Sequence, residues 1–267
     1  MNIQPSGKAL GAQITGINLA DPLDDAIAAS IRDALWVHCV LHFPAQHLSE
    51  RHQLAFTEIF GKPLIHVRPQ PGSHEPGIFV VSNVLENGAP IGALGHGHIG
   101  FHSDLAYLPE PGTISSLYAV EVPADEGATT WASGYAAYEA LDERTRQLLD
   151  GVYATHRHTT PELNPPEATR HPVVCTHPDS GRKTLFVTPL FTQALLGLPA
   201  CVDAEDLLTR LTTHTTDPRF TWTHQWQQGD LVVWDNRATQ HSRAAFDPSK
   251  RRVMKRTQIF NDRRPQP

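Results

Sequence analysis

Cysteine is scarce in this chain, and Cys39, Cys175 and Cys201 are odd in number and far apart. That pattern argues against a disulfide framework and against a paired-cysteine metal site, and it points to a reducing setting. Positive charge is also short. The 28 acidic residues outnumber the 22 basic ones, for a formal net charge of −6 and a pI near 6.2. A nucleic-acid-binding surface needs clustered positive charge, so that class of partner is set aside. No apolar run approaches the length needed to cross a bilayer, and MNIQPSGKALGAQITG lacks the basic start and continuous apolar stretch of a secretory signal. A cytoplasmic protein is the expectation. Internal repeats and low-complexity linkers are absent too. With 267 residues and 40% hydrophobic content, the chain has material for a large core, and a single domain over 1–267 is expected.

The 22 prolines and 18 glycines are spread throughout and cut the chain into short pieces. GAQITGINL alternates like a strand, and Asp21-Pro22 fits a helix N-cap with proline at the first helical position. Ile27, Ile31 and Leu35 follow at helical spacing. WVHCVLHF (36–43) reads as a buried strand, and Ser49 as the cap of a second helix. GIFVVSNV (77–84), TISSLYAVEV (113–122) and TTWAS (129–133) read as strands, and YAAYEALDERTRQLL as a helix ended by Gly151. The segment 157–172, polar and broken by proline, is a candidate lid or insertion. KTLFVTPLF looks extended, Asp203 caps a further helix, and FTWTHQW, DLVVWD and RRVMKRTQIF read as strands. Early helices followed by many short strands suggest a mainly β fold, an antiparallel double sheet or barrel with helices packed outside.

Sixteen histidines supply both ligands and accidents. About one His-x-Asp match is expected by chance in such a composition. There are two. His177-Pro178-Asp179 is followed by Ser180-Gly181, which marks a turn with its side chains at the surface. His102-Ser103-Asp104 in FHSDLAY reads as strand, where residues two apart share a face and converge on one ion. His241 follows LVVWD by a short polar loop and offers a third ligand. Two imidazoles and one carboxylate form a facial triad that holds Fe(II) and leaves positions open for a co-substrate and O2. Downstream, Arg252 and Arg256 share one face of an extended RRVMKR, about 13 Å apart at about 3.3 Å per residue. One guanidinium can grip the far carboxylate of 2-oxoglutarate, the other a second anion.

These segments resemble the TauD/TfdA family of Fe(II)/2-oxoglutarate dioxygenases over nearly the whole chain. The resemblance is most specific at FHSD, EGATTWASGYAAYEAL, HPVVCTHPDSGRKTLFV and WDNRATQHSRAAFDPSKRRVMKR. It implies a double-stranded β-helix, a jelly roll of the cupin-like kind. It implies His102, Asp104 and His241 as catalytic metal ligands, with Thr129 and Arg252 binding 2-oxoglutarate. Arg256, His66 and Phe191 match substrate-side residues of sulfonate-using members. Where taurine-type members have an asparagine, this chain has His98 inside GHGHIGFH, read as pocket lining. The tyrosine expected after His66 is replaced by Arg68 and Pro69, and the region between His158 and His171 is shorter. The substrate side therefore departs from taurine-using members while the iron and co-substrate residues match.

The activity so implied is oxidation, ending in hydroxylation, of a small organic anion such as a sulfonate or an aryloxyalkanoate, with release of succinate and CO2. A homo-oligomer is compatible with the sequence. Asp104 fills the coordination position that related halogenases leave to chloride, which argues against halogenation. Two other classes use the same residues. A zinc hydrolase could be built on His102, Asp104 and His241 but has no use for Thr129 and Arg252. A non-catalytic jelly roll would bind 2-oxoglutarate and metal without turnover.

Overall fold

The computed structural model describes residues 1–65, 71–260 and 264–267. Two antiparallel sheets face one another. In spatial order the larger runs Asn2–Pro5, Ala12–Thr15, Val40–Phe43, Leu231–Asp235, Gly112–Glu121, Val253–Phe260 and Phe79–Ser82, with one parallel pairing, between Ala12–Thr15 and Val40–Phe43. The smaller runs Thr221–His224, Thr129–Ser133, Thr239–Arg243 and Ile99–His102. From Phe79 onward these strands form pairs that cross between sheets: 79–82 leads to 99–102, 112–121 to 129–133, 221–224 to 231–235, and 239–243 to 253–260. That winding is the double-stranded β-helix, and it brings distant segments side by side.

The strand LVVWD is apolar at every position but the last because both of its faces are buried. Leu231 and Val233 pack with Ile31, Leu35 and Phe56 of the two N-terminal helices, Asp25–His38 and Glu50–Glu58. Val232 and Trp234 point the other way, into a core between the sheets with Trp131, Leu117 and Met254. Period-two alternation thus serves two apolar layers rather than one apolar and one wet face. A third, three-stranded sheet of Thr169–Pro172, Tyr153–His156 and Thr192–Leu196 carries its own core with the helix Ala204–Thr215.

Several sequence assignments shift. The first helix is capped by Asp24, whose side chain accepts the Ile27 N–H at 2.7 Å, rather than by Asp21. It runs on through Trp36–His38 until Cys39 adopts a left-handed φ of 64°, so only Val40–Phe43 is strand. An apolar run cannot by itself distinguish a buried helix end from a strand, which is why the boundary moved. Ser49 caps the second helix as expected. The expected helix after Ser133 is two short ones, Gly134–Glu139 and Glu143–Leu148, because Asp142 caps a fresh start. Only Lys183–Leu185 of the extended-looking 183–191 joins a strand. Within 157–172, Thr169–Pro172 belongs to the three-stranded sheet, and Pro161–Leu163 forms a single 3₁₀ turn.

Candidate active site

His102 ends its strand and stands opposite His241, which lies within the neighbouring strand rather than in a loop. The two rings sit 4.3 Å apart at a 45° tilt. His102 Nδ1 lies 2.8 Å from the Gly100 carbonyl oxygen. Donating its N–H there leaves the Nε2 lone pair free on the side of Asp104, whose Oδ1 is 3.8 Å away.

Asp104 reaches the site by a turn, not along the strand, which stops at His102. The Ser103 hydroxyl donates to the Thr239 carbonyl at 2.6 Å, and Leu105 takes a left-handed φ of 60°. The Asp104 N–H donates to Asn236 Oδ1 at 3.2 Å. Asp104 Oδ2 accepts from the Ser115 hydroxyl at 2.7 Å, and that hydroxyl oxygen accepts from Asn236 Nδ2 at 2.9 Å. Trp234 Nε1 in turn donates to Asn236 Oδ1 at 2.9 Å. This chain of bonds fixes one carboxylate oxygen and leaves Oδ1 facing the imidazoles. One ligand atom from each of His102, Asp104 and His241 lies within 4.8 Å of the others.

The charges suit a divalent ion. Burial would raise the Asp104 pKa, but the Arg256 guanidinium, then His241 and His102, outweigh it and hold the carboxyl at about 2. Burial lowers both histidines, His241 to about 3, so both are neutral at pH 7 and offer lone pairs.

On the other side of the imidazoles the cavity is walled by Val81, Ile99 and Leu117 and lined by Thr129, Arg243, Arg252 and Arg256. Arg252 is 1% exposed, and its Nε and Nη2 have no hydrogen-bond partner among the described residues. Burial, then the neighbouring Arg243, pulls it down to about 9, which leaves it charged at neutral pH. A buried cation without an anion is costly, so a guanidinium placed this way can take an anionic ligand. Thr129 Oγ1 accepts from Trp226 Nε1 at 2.9 Å, which leaves its own proton free to donate. Arg256 lies over the Phe79 ring at 4.7 Å, with Nη1 3.5 Å from Asp104 Oδ1. Arg252 and Arg256 therefore line one cavity.

Phe191 is buried, its ring edge-on to His102 at 5.5 Å and against His158 at 5.3 Å. His158 belongs to the 157–168 segment, which Asn164 ties back on itself through the His158 N–H and carbonyl. His98 is exposed and is not among the residues that line the cavity. His66, with Arg68 and Pro69, lies outside the described residues. The surface reading of His177 is overturned: it is 1% exposed, with Nε2 2.9 Å from Asp235 Oδ2. A carboxylate ending an apolar buried strand needs a partner, and His177 with Arg237 supplies it.

Sequence reasoning missed Ser115, Asn236, Trp226 and Arg243. Asn236 and Arg243 both flank His241 in WDNRATQHSR, and a buried polar residue beside a ligand is the signal that could have found them. Arg243 donates to the carbonyls of Leu94 and Gly97, tying the GHGH segment to the cavity rim. A larger cavity of about 700 Å³ lies between Cys175–Pro178 and Arg264–Pro267, but it holds none of the triad residues.

Comparison with known proteins identifies the family. The family model described as taurine catabolism dioxygenase TauD, TfdA family matches residues 2–258. Pentalenolactone F synthase of Streptomyces arenae is 31% identical, over 98% of this chain and 96% of that protein. The alpha-ketoglutarate-dependent sulfate ester dioxygenase of Pseudomonas putida is 30% identical, over 98% of this chain and 90% of that protein. The crystal structure of AAD-2 in complex with Mn(II) and N-oxalylglycine superposes with a TM-score of 0.79 at 28% identity, covering 98% of each chain. With the strand winding and a match that runs almost from end to end, the chain belongs to the TauD/TfdA dioxygenase family.

Proposed function

We propose that this chain is an Fe(II)- and 2-oxoglutarate-dependent dioxygenase that hydroxylates a small organic anion, a sulfonate or a carboxylate. One observation carries the reading. Two neutral imidazoles and an ionised carboxylate cluster beside a cavity lined by a guanidinium, Arg252, that has no carboxylate partner among the described residues. The donor set of two nitrogens and one oxygen suits Fe(II) with open positions, and the unpaired nitrogens of Arg252 suit a distal carboxylate. When bound, the iron and 2-oxoglutarate supply an oxidation by O2 in which 2-oxoglutarate leaves as succinate and CO2.

The protein's part is binding, orientation and exclusion of water. His102, Asp104 and His241 are the proposed ligands, with Ser115 and Gly100 setting their orientation. Arg252 and the Thr129 hydroxyl hold the far end of the co-substrate. Arg256, beside Asp104, is assigned the substrate anion, and Phe191 the wall on the His102 side. Three guanidiniums against one carboxylate leave the cavity positive, which supports an anionic substrate. The named activity of the Pseudomonas putida relative, on sulfate esters, supports the same class. A zinc hydrolase would leave Arg252 and Thr129 without a task. We read residues 1–267 as one catalytic domain. The free cysteines favour the cytoplasm, and among the described residues no helix is long and apolar enough to cross a membrane.

The test is succinate release in air by protein prepared without oxygen and supplied with Fe(II), ascorbate and 2-oxoglutarate, screened against sulfonates, sulfate esters, aryloxyalkanoates and amino acids. Substrate-stimulated succinate that disappears in His102→Ala is expected. Recovery of a hydrolytic activity by zinc, with no iron-dependent succinate even without substrate, would overturn the reading.

A further inference from the structure

A second cluster of metal-ligating side chains lies outside this cavity. His42 sits on the strand Val40–Phe43 opposite Val232, His224 ends the strand Thr221–His224, and Asp230 stands just ahead of Leu231–Asp235. Three chain segments thus converge at one corner of the sheet. His42 Nε2 is 3.0 Å from Asp230 Oδ1, and His224 Nε2 is 2.8 Å from Asp230 Oδ2. One ligand atom from each residue lies within 4.8 Å of the others. The imidazole pair repeats the geometry of the triad: 4.3 Å between centroids at 49°, against 4.3 Å at 45° for His102 and His241.

A plain hydrogen-bonded His-Asp-His network accounts for only half of the cluster. His224 Nε2 bonds Asp230 Oδ2, which also accepts the Gln227 N–H at 2.9 Å. His42 Nε2 is different. It is buried and 3.0 Å from Oδ1, yet among the described residues it makes no well-aligned hydrogen bond. A ring nitrogen near a carboxylate oxygen but not aimed along a hydrogen bond is the relation of two ligands to a shared ion. Donors about 2.1 Å from a tetrahedral ion lie roughly 3.4 Å apart, inside the 4.8 Å that bounds one ligand atom from each of the three residues. The His42 and His224 side chains are 12% and 8% exposed, which places the cluster close to the surface.

We propose that His42, His224 and Asp230 form a second metal site, for a divalent ion of the zinc type, with water completing the coordination. Two imidazoles and one carboxylate are a ligand set that zinc accepts. An ion there ties the strand Val40–Phe43 to both ends of the 224–230 turn. It is independent of the iron and co-substrate reading above.

The test begins with a His102→Ala/His241→Ala chain, which keeps the second cluster intact and disables the first. After chelator treatment and dialysis against zinc sulfate, elemental analysis is expected to find one zinc per chain. Wild type is expected to bind two. Adding His42→Gln or His224→Gln to the double variant is expected to reduce the zinc to none, while either change alone leaves iron-dependent succinate formation in place. Absence of zinc in the double variant, or zinc retained after both cluster substitutions, overturns the proposal. Should the cluster variants not fold, X-ray absorption on the zinc-loaded double variant decides: two imidazoles in the coordination shell support the site, and any other shell overturns it.

Discussion

Arg252 concentrates the argument at the scale of single residues. Among the described residues it is a cation buried without an anion, and its removal should act on the co-substrate before anything else. In Arg252→Gln the 2-oxoglutarate KM is expected to rise about 10–100-fold, in line with about 1.5–3 kcal/mol for charge-assisted hydrogen bonds. A KM unchanged within twofold, measured by succinate release, would remove Arg252 from the co-substrate site. Ser115 acts one step further out, by holding Asp104 Oδ2. Ser115→Ala is expected to weaken Fe(II) affinity about 10–100-fold without removing a ligand, and an iron titration of turnover would show it. The triad itself was legible because FHSD and WDNRATQH bring chemistry-bearing residues together in short motifs. Ser115 and Asn236 were not, since nothing local says that an ordinary serine and asparagine will meet a carboxylate from another strand. His177 was misread for the same reason, as its partner Asp235 lies far along the chain.

At the scale of elements, alternation along the strands was readable and the ends of elements were not. Asp104 shows the cost of that: it clusters with His102 and His241, but it arrives through a turn held by Ser103 rather than on a continued strand. The helix Glu50–Glu58 matters to function because it steadies the strand carrying Arg256. Gln53 donates to the Lys255 carbonyl at 2.9 Å, and the Thr57 and Thr257 hydroxyls meet at 2.7 Å. Its N-terminus is held by Ser49 in a reciprocal bond with His52. Ser49→Ala should lower stability by about 1 kcal/mol in urea unfolding, with kcat retained. Gly134→Ala should cost more. A Cβ at Gly134 would meet the Thr184 side chain and lie 3.2 Å from the backbone carbonyls of Ala238 and Leu185, which have little room to yield. Equal denaturation midpoints for the two variants would count against this packing.

For the molecule as a whole, the buried histidines set the response to acid. Burial, reinforced by His171, holds His156 at about 3. Burial holds His171 at about 4, against the Ala106 and Leu108 carbonyls that favour its charged form. In an unfolded chain both return to about 6.5, so the unfolded state binds protons that the folded state refuses. Their contribution is complete above pH 6.5 and is lost as pH falls towards 4 and 3. Asp104, held at about 2, adds a loss of the same sign at lower pH. The melting temperature of metal-free protein should be flat from pH 8 to 7 and decline steadily below 6.5. A value that held or rose between pH 6.5 and 5 would contradict the assignment.

The winding of strands between the two sheets also dictates when this protein can begin to work. His102 must wait for His241, and Asp104 meets Arg256 only across 152 residues of chain. The strand that brings Arg256 is inserted between Gly112–Glu121 and Phe79–Ser82, not added at an edge. A growing polypeptide therefore carries two of the three triad residues until His241 is made, and lacks the pair Arg252 and Arg256 until synthesis has passed into the strand Val253–Phe260. On the ligand set proposed above, activation of oxygen waits until that strand is in place, and the order of synthesis itself protects the chain from its own chemistry.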